Sequence, residues 1–152
     1  MSGQGGAGGQ GGTGGTGPRL ADLSVGDELP VMTKNASRAQ LFLYSAASFN
    51  PHRIHYDREY AAVEGHPDIL VHGPLQGSWL TQYLTDWIGP RARLRAVTWQ
   101  NRASAFPEQD LEFHGRVTAV HLERNEVEVE VWEQTADGAV LMPGTATVFL
   151  PE

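Results

Sequence analysis

Five residues between Asn50 and Gly73 have the types and spacing for proton transfer beside a developing negative charge: Asn50, His52, His55, His72 and Gly73. Imidazole, with an ordinary pKa of about 6.5, both takes and returns protons at neutral pH. His55 lies in the run Asn50-Pro51-His52-Arg53-Ile54-His55-Tyr56-Asp57 and reads in two ways, as the principal acid/base or as a surface or capping histidine of a loop. His52 reads in two ways, as a second acid/base or as an exposed loop histidine. Asn50 either orients a water through its amide, which donates and accepts but takes no proton, or only ends a helix by its turn geometry. Asp57 reads first as a helix N-cap. Gly73 opens an apolar helix after Val71-His72, where a free backbone N–H can meet an oxyanion with no side chain in the way. The plainer alternative is that Gly73-Pro74 merely starts that helix. His72 flanks this point.

These residues require elements that hold them. A first strand is expected at about Glu28 to Lys34. Ser37, with Gln40 three residues on, reads as a capping box opening a helix of about ten residues. That helix stops at Asn50-Pro51, because a residue before proline avoids helical geometry. Asp57 caps a short second helix that ends at Gly65-His66-Pro67, and Ile69 to Val71 is extended. The spacing then predicts a long helix from Pro74 to Trp87, closed by Gly89-Pro90. Its apolar face carries Leu75, Trp79, Leu80, Tyr83, Leu84, Trp87 and Ile88, and Gly77 keeps part of the surface small. After it the apolar period changes from about 3.6 to about 2. Leu94 to Phe106 reads as extended, Pro107 to Asp110 as a turn, and Leu111, Phe113, Gly115, Val117, Ala119 and His121 as one strand face. Val127, Val129 and Val131 alternate with Glu126, Glu128 and Glu130. Ala136-Asp137-Gly138 marks a hairpin before a last strand from Val140 to Leu150. One long helix followed by consecutive antiparallel strands is an α+β arrangement. A sheet curled round the helix leaves an open edge that favours a dimer with a continuous sheet. Trp79, Tyr83, Trp87, Trp99 and Phe106 read as core.

Composition excludes several classes of function. Of 152 residues, Met1 to Pro18 form a Gly-rich tail with almost nothing to bury, expected to be disordered, and 19–152 form a single domain. The chain has no cysteine, which removes disulfides, thiol nucleophiles and Cys-ligated metals. A net charge of −7 without a basic cluster argues against nucleic acid. No apolar run approaches the ~20 residues of a membrane span, and the N-terminus has no secretory pattern, so a cytoplasmic protein is expected. Arg53, Arg58 and Arg102 are candidates for phosphate contacts, although a solvated surface is the default for each.

The run from Asn50 to Asp57, followed by Val71-His72-Gly73 opening a long helix, resembles the MaoC-like hot-dog hydratases and dehydratases, which include the (R)-specific enoyl-CoA hydratases. The resemblance extends over about Leu23 to Leu150. It takes in Asn101-Arg102-Ala103 through Phe106-Pro107 to Gly115. Thr85 to Pro90 is similar to small actinobacterial acyl dehydratases of steroid side-chain breakdown. The resemblance implies a hot-dog fold, an antiparallel sheet wrapped around the Pro74 to Trp87 helix. It implies an acyl-CoA or acyl-carrier-protein substrate, and no metal or organic cofactor. The reaction it implies is hydration of a trans-2-enoyl thioester or the reverse dehydration of a 3-hydroxyacyl thioester. His55 would be the acid/base and the Gly73 N–H the oxyanion donor, with His72 flanking the acyl pocket. The chain departs from the family's common motif at two places. Asn50 stands where an aspartate is usual, and His52 where an asparagine is usual. Those departures open a second expectation, a non-catalytic subunit that completes a hot-dog heteromer. A homodimer is the other assembly expected. A hot-dog thioesterase is a third reading, but it usually wants a carboxylate placed for attack on the carbonyl, and none is well placed.

Overall fold

The computed structural model of the chain describes residues 17–152. All but the last two residues of the Gly-rich tail therefore lie outside the described residues. In chain order the elements are β1 (Met32–Asn35), α1 (Arg38–Ala47), α2 (Arg58–Val63), α3 (Gly73–Ile88), β2 (Arg93–Trp99), β3 (Asp110–His121), β4 (Glu126–Thr135) and β5 (Val140–Phe149). A 3-10 turn at Arg53–His55 links α1 to α2. The five strands form one sheet in the order β1-β3-β4-β5-β2, and every neighbouring pair is antiparallel.

Local chemistry sets most element ends. The Ser37 hydroxyl accepts from the Gln40 N–H at 3.1 Å and starts α1. Asp57 accepts from the Tyr60 N–H at 3.0 Å and starts α2. Chain reversal after α1 puts Phe49 at φ +54, a left-handed conformation uncommon for a residue with a side chain. Gly138, at φ +89, turns β4 into β5. The Arg38 guanidinium holds both oxygens of Asp68, at 2.9 and 2.6 Å, and ties the start of α1 to the segment entering α3.

Four boundaries differ from the sequence expectation. β1 begins at Met32 rather than Glu28, which makes only an isolated bridge to Arg116; Pro30 has no N–H to give a ladder. α3 begins one residue earlier than Pro74, so that Gly73 is its first residue and His72 its N-cap. β2 stops at Trp99 instead of running on to Phe106. The chain beyond it is tethered to β5 by single bonds, from Gln100 N–H to Pro143 O and from Arg102 N–H to Leu141 O. In β3 the register shifts between Val117 and Ala119, so the face read through Ala119 and His121 is broken there. Val120 packs on the core instead, and His121 turns outward to Glu128 at 3.0 Å. A bulge of this kind inserts one residue and swaps the faces beyond it.

The core lies between α3 and one face of the sheet. Leu80 and Leu84 have no exposed surface, nor do Phe113, Val127 and Val148. Trp99 departs from its core expectation and is 37% exposed at the end of β2. No helix among the described residues is long and apolar enough to cross a membrane.

Two polar groups share the apolar core without hydrogen-bond partners. The Tyr83 hydroxyl is one, and burial pushes its pKa up. The Glu133 carboxyl is the other. It follows Val127, Val129 and Val131 on the inner face of β4, fully buried with both oxygens unpaired. Burial pushes Glu133 up to about 7 from an ordinary 4.5. Between those two values the unfolded chain has released the proton that the folded chain keeps, so this residue lowers stability as pH rises. Above about 7 the penalty is complete. We expect Glu133→Gln to gain stability over the wild type by up to ~1.4 kcal/mol per pH unit across that window, then to hold its advantage. Denaturant midpoints of both proteins measured from acid to neutral pH check this; a constant difference refutes it.

Candidate active site

The segment that carries the histidines is held tightly by its own backbone. His55 N–H donates to His52 O at 3.2 Å, and Asp57 N–H to Arg53 O at 2.8 Å. The Arg53 guanidinium reaches Asp57 at 2.6 Å and lies over the Tyr60 ring. The Tyr56 hydroxyl donates to Pro51 O at 2.8 Å. The Leu70 N–H donates to Ile54 O at 2.9 Å, and the Val71 N–H to Ala105 O at 2.9 Å. The extended run that enters α3 is thus fastened on both sides. Together these bonds turn His55 inward to 8% exposure, beneath the start of α3.

The protonation state of His55 follows from one contact. Its Nδ1 lies 2.9 Å from the Leu70 carbonyl oxygen. A carbonyl only accepts, so Nδ1 carries the proton and the neutral ring presents a bare lone pair at Nε2. Burial lowers the His55 pKa, the Leu70 carbonyl opposes that shift, and nearby His52 adds a smaller lowering. The ring is therefore a base near neutrality.

His72 stacks on His55, with ring centroids 3.7 Å apart and planes at 18°. It is fully buried. Its Nε2 meets the Ser45 hydroxyl at 2.8 Å, the Tyr44 ring meets it edge-on, and its Nδ1 has no partner. Burial, with the adjacent His55 contributing less, brings His72 down to about 4. Two stacked imidazoles in one apolar site cannot both be charged, so His72 remains a neutral platform.

The other sequence candidates are placed differently. Asn50 closes the end of α1, with its N–H on Ser45 O at 2.9 Å, and its side-chain oxygen accepts from the His52 N–H at 3.4 Å. The carbonyl end of that amide thus serves the turn. His52 is half-exposed, its Nδ1 accepts from the Ile54 N–H, and its Nε2 lies 4.0 Å from Glu64. Its ring is 6.2 Å from that of His55, close but not bonded. Gly73 stands at the first position of α3, where a helix has N–H groups without internal partners. Asp57 is an N-cap, as expected. Among the described residues no group of three or more His, Cys, Asp or Glu could hold a metal ion.

Three participants were missed by sequence reasoning: Ser45, the Leu70 carbonyl and Asn101. Ser45 left a faint signal as a hydroxyl on the inner face of α1 beside Leu41. The Leu70 carbonyl left none, because a backbone acceptor has no sequence code. A Cβ on Gly73 would collide with the amide of Asn101, and one on Gly77 with the ring of Trp99. The two glycines let the end of β2 and the chain just beyond it lie against the first turns of α3.

A buried imidazole beside a helix N-terminus places a proton acceptor next to backbone N–H groups that can meet a negative charge. The chain belongs to the family described as hydroxyacyl-thioester dehydratase type 2, whose model matches residues 26–107. It is 64% identical over 36 residues to mesaconyl-C(4)-CoA hydratase of Chloroflexus aurantiacus, covering 23% of this chain and 13% of that protein. It is 31% identical over 68 residues to the 3-oxo-4,17-pregnadiene-20-carboxyl-CoA hydratase beta subunit of Mycobacterium tuberculosis, covering 45% of this chain and 53% of that protein. The chain thus spans less than two thirds of either relative. A solved MaoC-like dehydratase superposes with a TM-score of 0.83 at 26% identity, over 90% of this chain and 43% of that one. The fold is the hot-dog fold, with the five-stranded antiparallel sheet packed on α3.

The stack makes a prediction for titration by NMR. The His72 ring should stay neutral until the pH falls to about 4, and His55 should titrate below the ordinary histidine value with its proton on Nδ1. Because the folded His72 pKa is lowered, the stability it contributes is complete above 6.5 and is lost as pH falls toward about 4. Imidazole nitrogen shifts read both the pKa values and the tautomer. Protonation of His72 at an ordinary pKa contradicts the burial of the pair.

Proposed function

We propose that the chain hydrates trans-2-enoyl thioesters, or runs the reverse dehydration of 3-hydroxyacyl thioesters, on coenzyme A or acyl carrier protein. The observation that carries this reading is the bond from His55 Nδ1 to the Leu70 carbonyl, which leaves a basic Nε2 beside the start of α3. In the hydration direction Nε2 takes a proton from water as the water oxygen bonds to C3. The C2–C3 π electrons move toward the thioester, and the oxygen that gains charge meets the Gly73 N–H. The imidazolium then returns a proton to C2, so the net change is one water added. His72 lies flat beneath the base and keeps water from its lower face. Asn50 serves by orienting water rather than by taking a proton, and half-exposed His52 lies 6.2 Å from the base, ring to ring.

A second reading has an observation of its own. An amide at Asn50 and the likeness to a protein named a beta subunit favour a non-catalytic subunit that completes a hot-dog heteromer. The open edge at β2 suits a second hot-dog subunit in either case, a copy of this chain or a different one.

The test is the hydration rate of the purified chain alone on trans-2-enoyl-CoAs from short to steroid-sized. In the enzyme reading His55→Ala lowers kcat by ~100-fold or more while the fold is kept. Asn50→Asp, run beside it, keeps activity and adds a second titrating group to the pH profile. A folded wild type that turns over none of these substrates alone, but does so when a partner subunit is supplied, favours the heteromer.

A further inference from the structure

Gly73 and Gly77 lie one turn apart on α3 and face the chain that leaves β2. The side chain that Gly73 lacks would begin where the amide nitrogen of Asn101 now sits. Asn101 is held there by its neighbours. The Gln100 N–H donates to Pro143 O at 3.0 Å, and the N–H groups of Arg102 and Ala103 donate to Leu141 O at 2.9 and 3.2 Å. The segment is therefore fixed on both sides of a residue whose own side chain is exposed. Beside it the N-cap His72 is fully buried with Nδ1 unpaired at this end of α3.

An enolate-like oxygen accepts more than one hydrogen bond, and one backbone N–H supplies only one. Pro74, next in the chain, has no N–H to offer. The Asn101 amide has two N–H donors and stands against Gly73. We propose that the Asn101 side-chain amide is the second donor of the oxyanion site, acting with the Gly73 N–H on the thioester oxygen. This rests on the hydration reading above. It also accounts for glycine at 73, since any side chain there displaces the Asn101 amide.

The experiment has a kinetic and a spectroscopic arm. Asn101→Ala should lower kcat by ~100-fold with KM nearly unchanged, the mark of a contact made mainly in the transition state. Gly73→Ala should lose a similar factor by pushing the amide aside, and the double variant should lose no more than Gly73→Ala alone. Thermal unfolding of each variant controls for folding. The spectroscopic arm uses a conjugated 2,4-dienoyl-CoA bound to His55→Ala, whose turnover is slowed ~100-fold or more, so that the bound spectrum can be recorded before conversion. Donors on the thioester oxygen shift its absorption band to the red, and adding Asn101→Ala should shrink that shift. An active wild type with Asn101→Ala unchanged in kcat and in the shift overturns the assignment and leaves the hydration reading standing. A wild type that turns over no enoyl thioester and shifts no dienoyl band overturns both.

Discussion

The apolar side of α3, with Leu80 and Leu84 wholly out of solvent, can be covered only by a sheet that bends to meet it. Burying such leucines contributes on the order of 2 kcal/mol each, and the cost of uncovering them constrains the remainder of the chain. The inner faces of β3, β4 and β5 answer with Phe113, Val117, Val127, Val129, Val131 and Val148. The bulge after Val117 adds local twist. Glycines on the flank of α3 let the segment after β2 come closer than any residue with a Cβ would allow. With α3 packed in this way its first turn is fixed against the sheet and the segment after β2, and the residues gathered at that end are placed by it.

The same enclosure sets the electrostatics. Burial acts in opposite senses on acids and bases, lowering His55 and His72 and raising Glu133 and Tyr83. In each case the neutral form is favoured. Paired groups at the surface behave differently. The Arg38 guanidinium holds the Asp68 carboxyl down at about 2, because its charge is met by an opposite charge. The molecule thus keeps its charged pairs outside and its neutral titratable groups inside. A neutral imidazole with one nitrogen tied to a carbonyl is the form that can act as a base.

Much of this was legible from residue types. The Ser37 and Asp57 caps, the stop at Asn50-Pro51, the Gly138 turn and the long apolar helix all depend on contacts between residues near in sequence, which local patterns encode. The α+β arrangement followed from the change of period after Gly89, and the hot-dog fold was what the family resemblance of the Asn50 to Asp57 and Val71 to Gly73 runs implied. The errors arose where distant partners decide. Glu28 had the right pattern for a strand and does bond to β3 around a single bridge at Arg116, but Pro30 interrupts the ladder before Met32. Ala119 and His121 fitted an alternation that a bulge against β4 interrupts. Trp99 looked like core and proved to be a partly exposed ring lying on Gly77.

For the candidate site the division is sharper. Sequence alone singled out His55, His72 and Gly73, because an imidazole, a helix start and a glycine are chemical types that can be read one residue at a time. It left Asn50 and His52 between two roles each. Only the tertiary structure decided that His55 and His72 stack, that Leu70 sets the tautomer of the first, and that Ser45 holds the second. It also decided that Asn101, 28 positions after Gly73, lies against it. A hydrogen bond to a backbone carbonyl and a stack of two rings depend on distances that no spacing in the chain encodes. They exist only once α1, the 3-10 turn and the start of α3 are packed together.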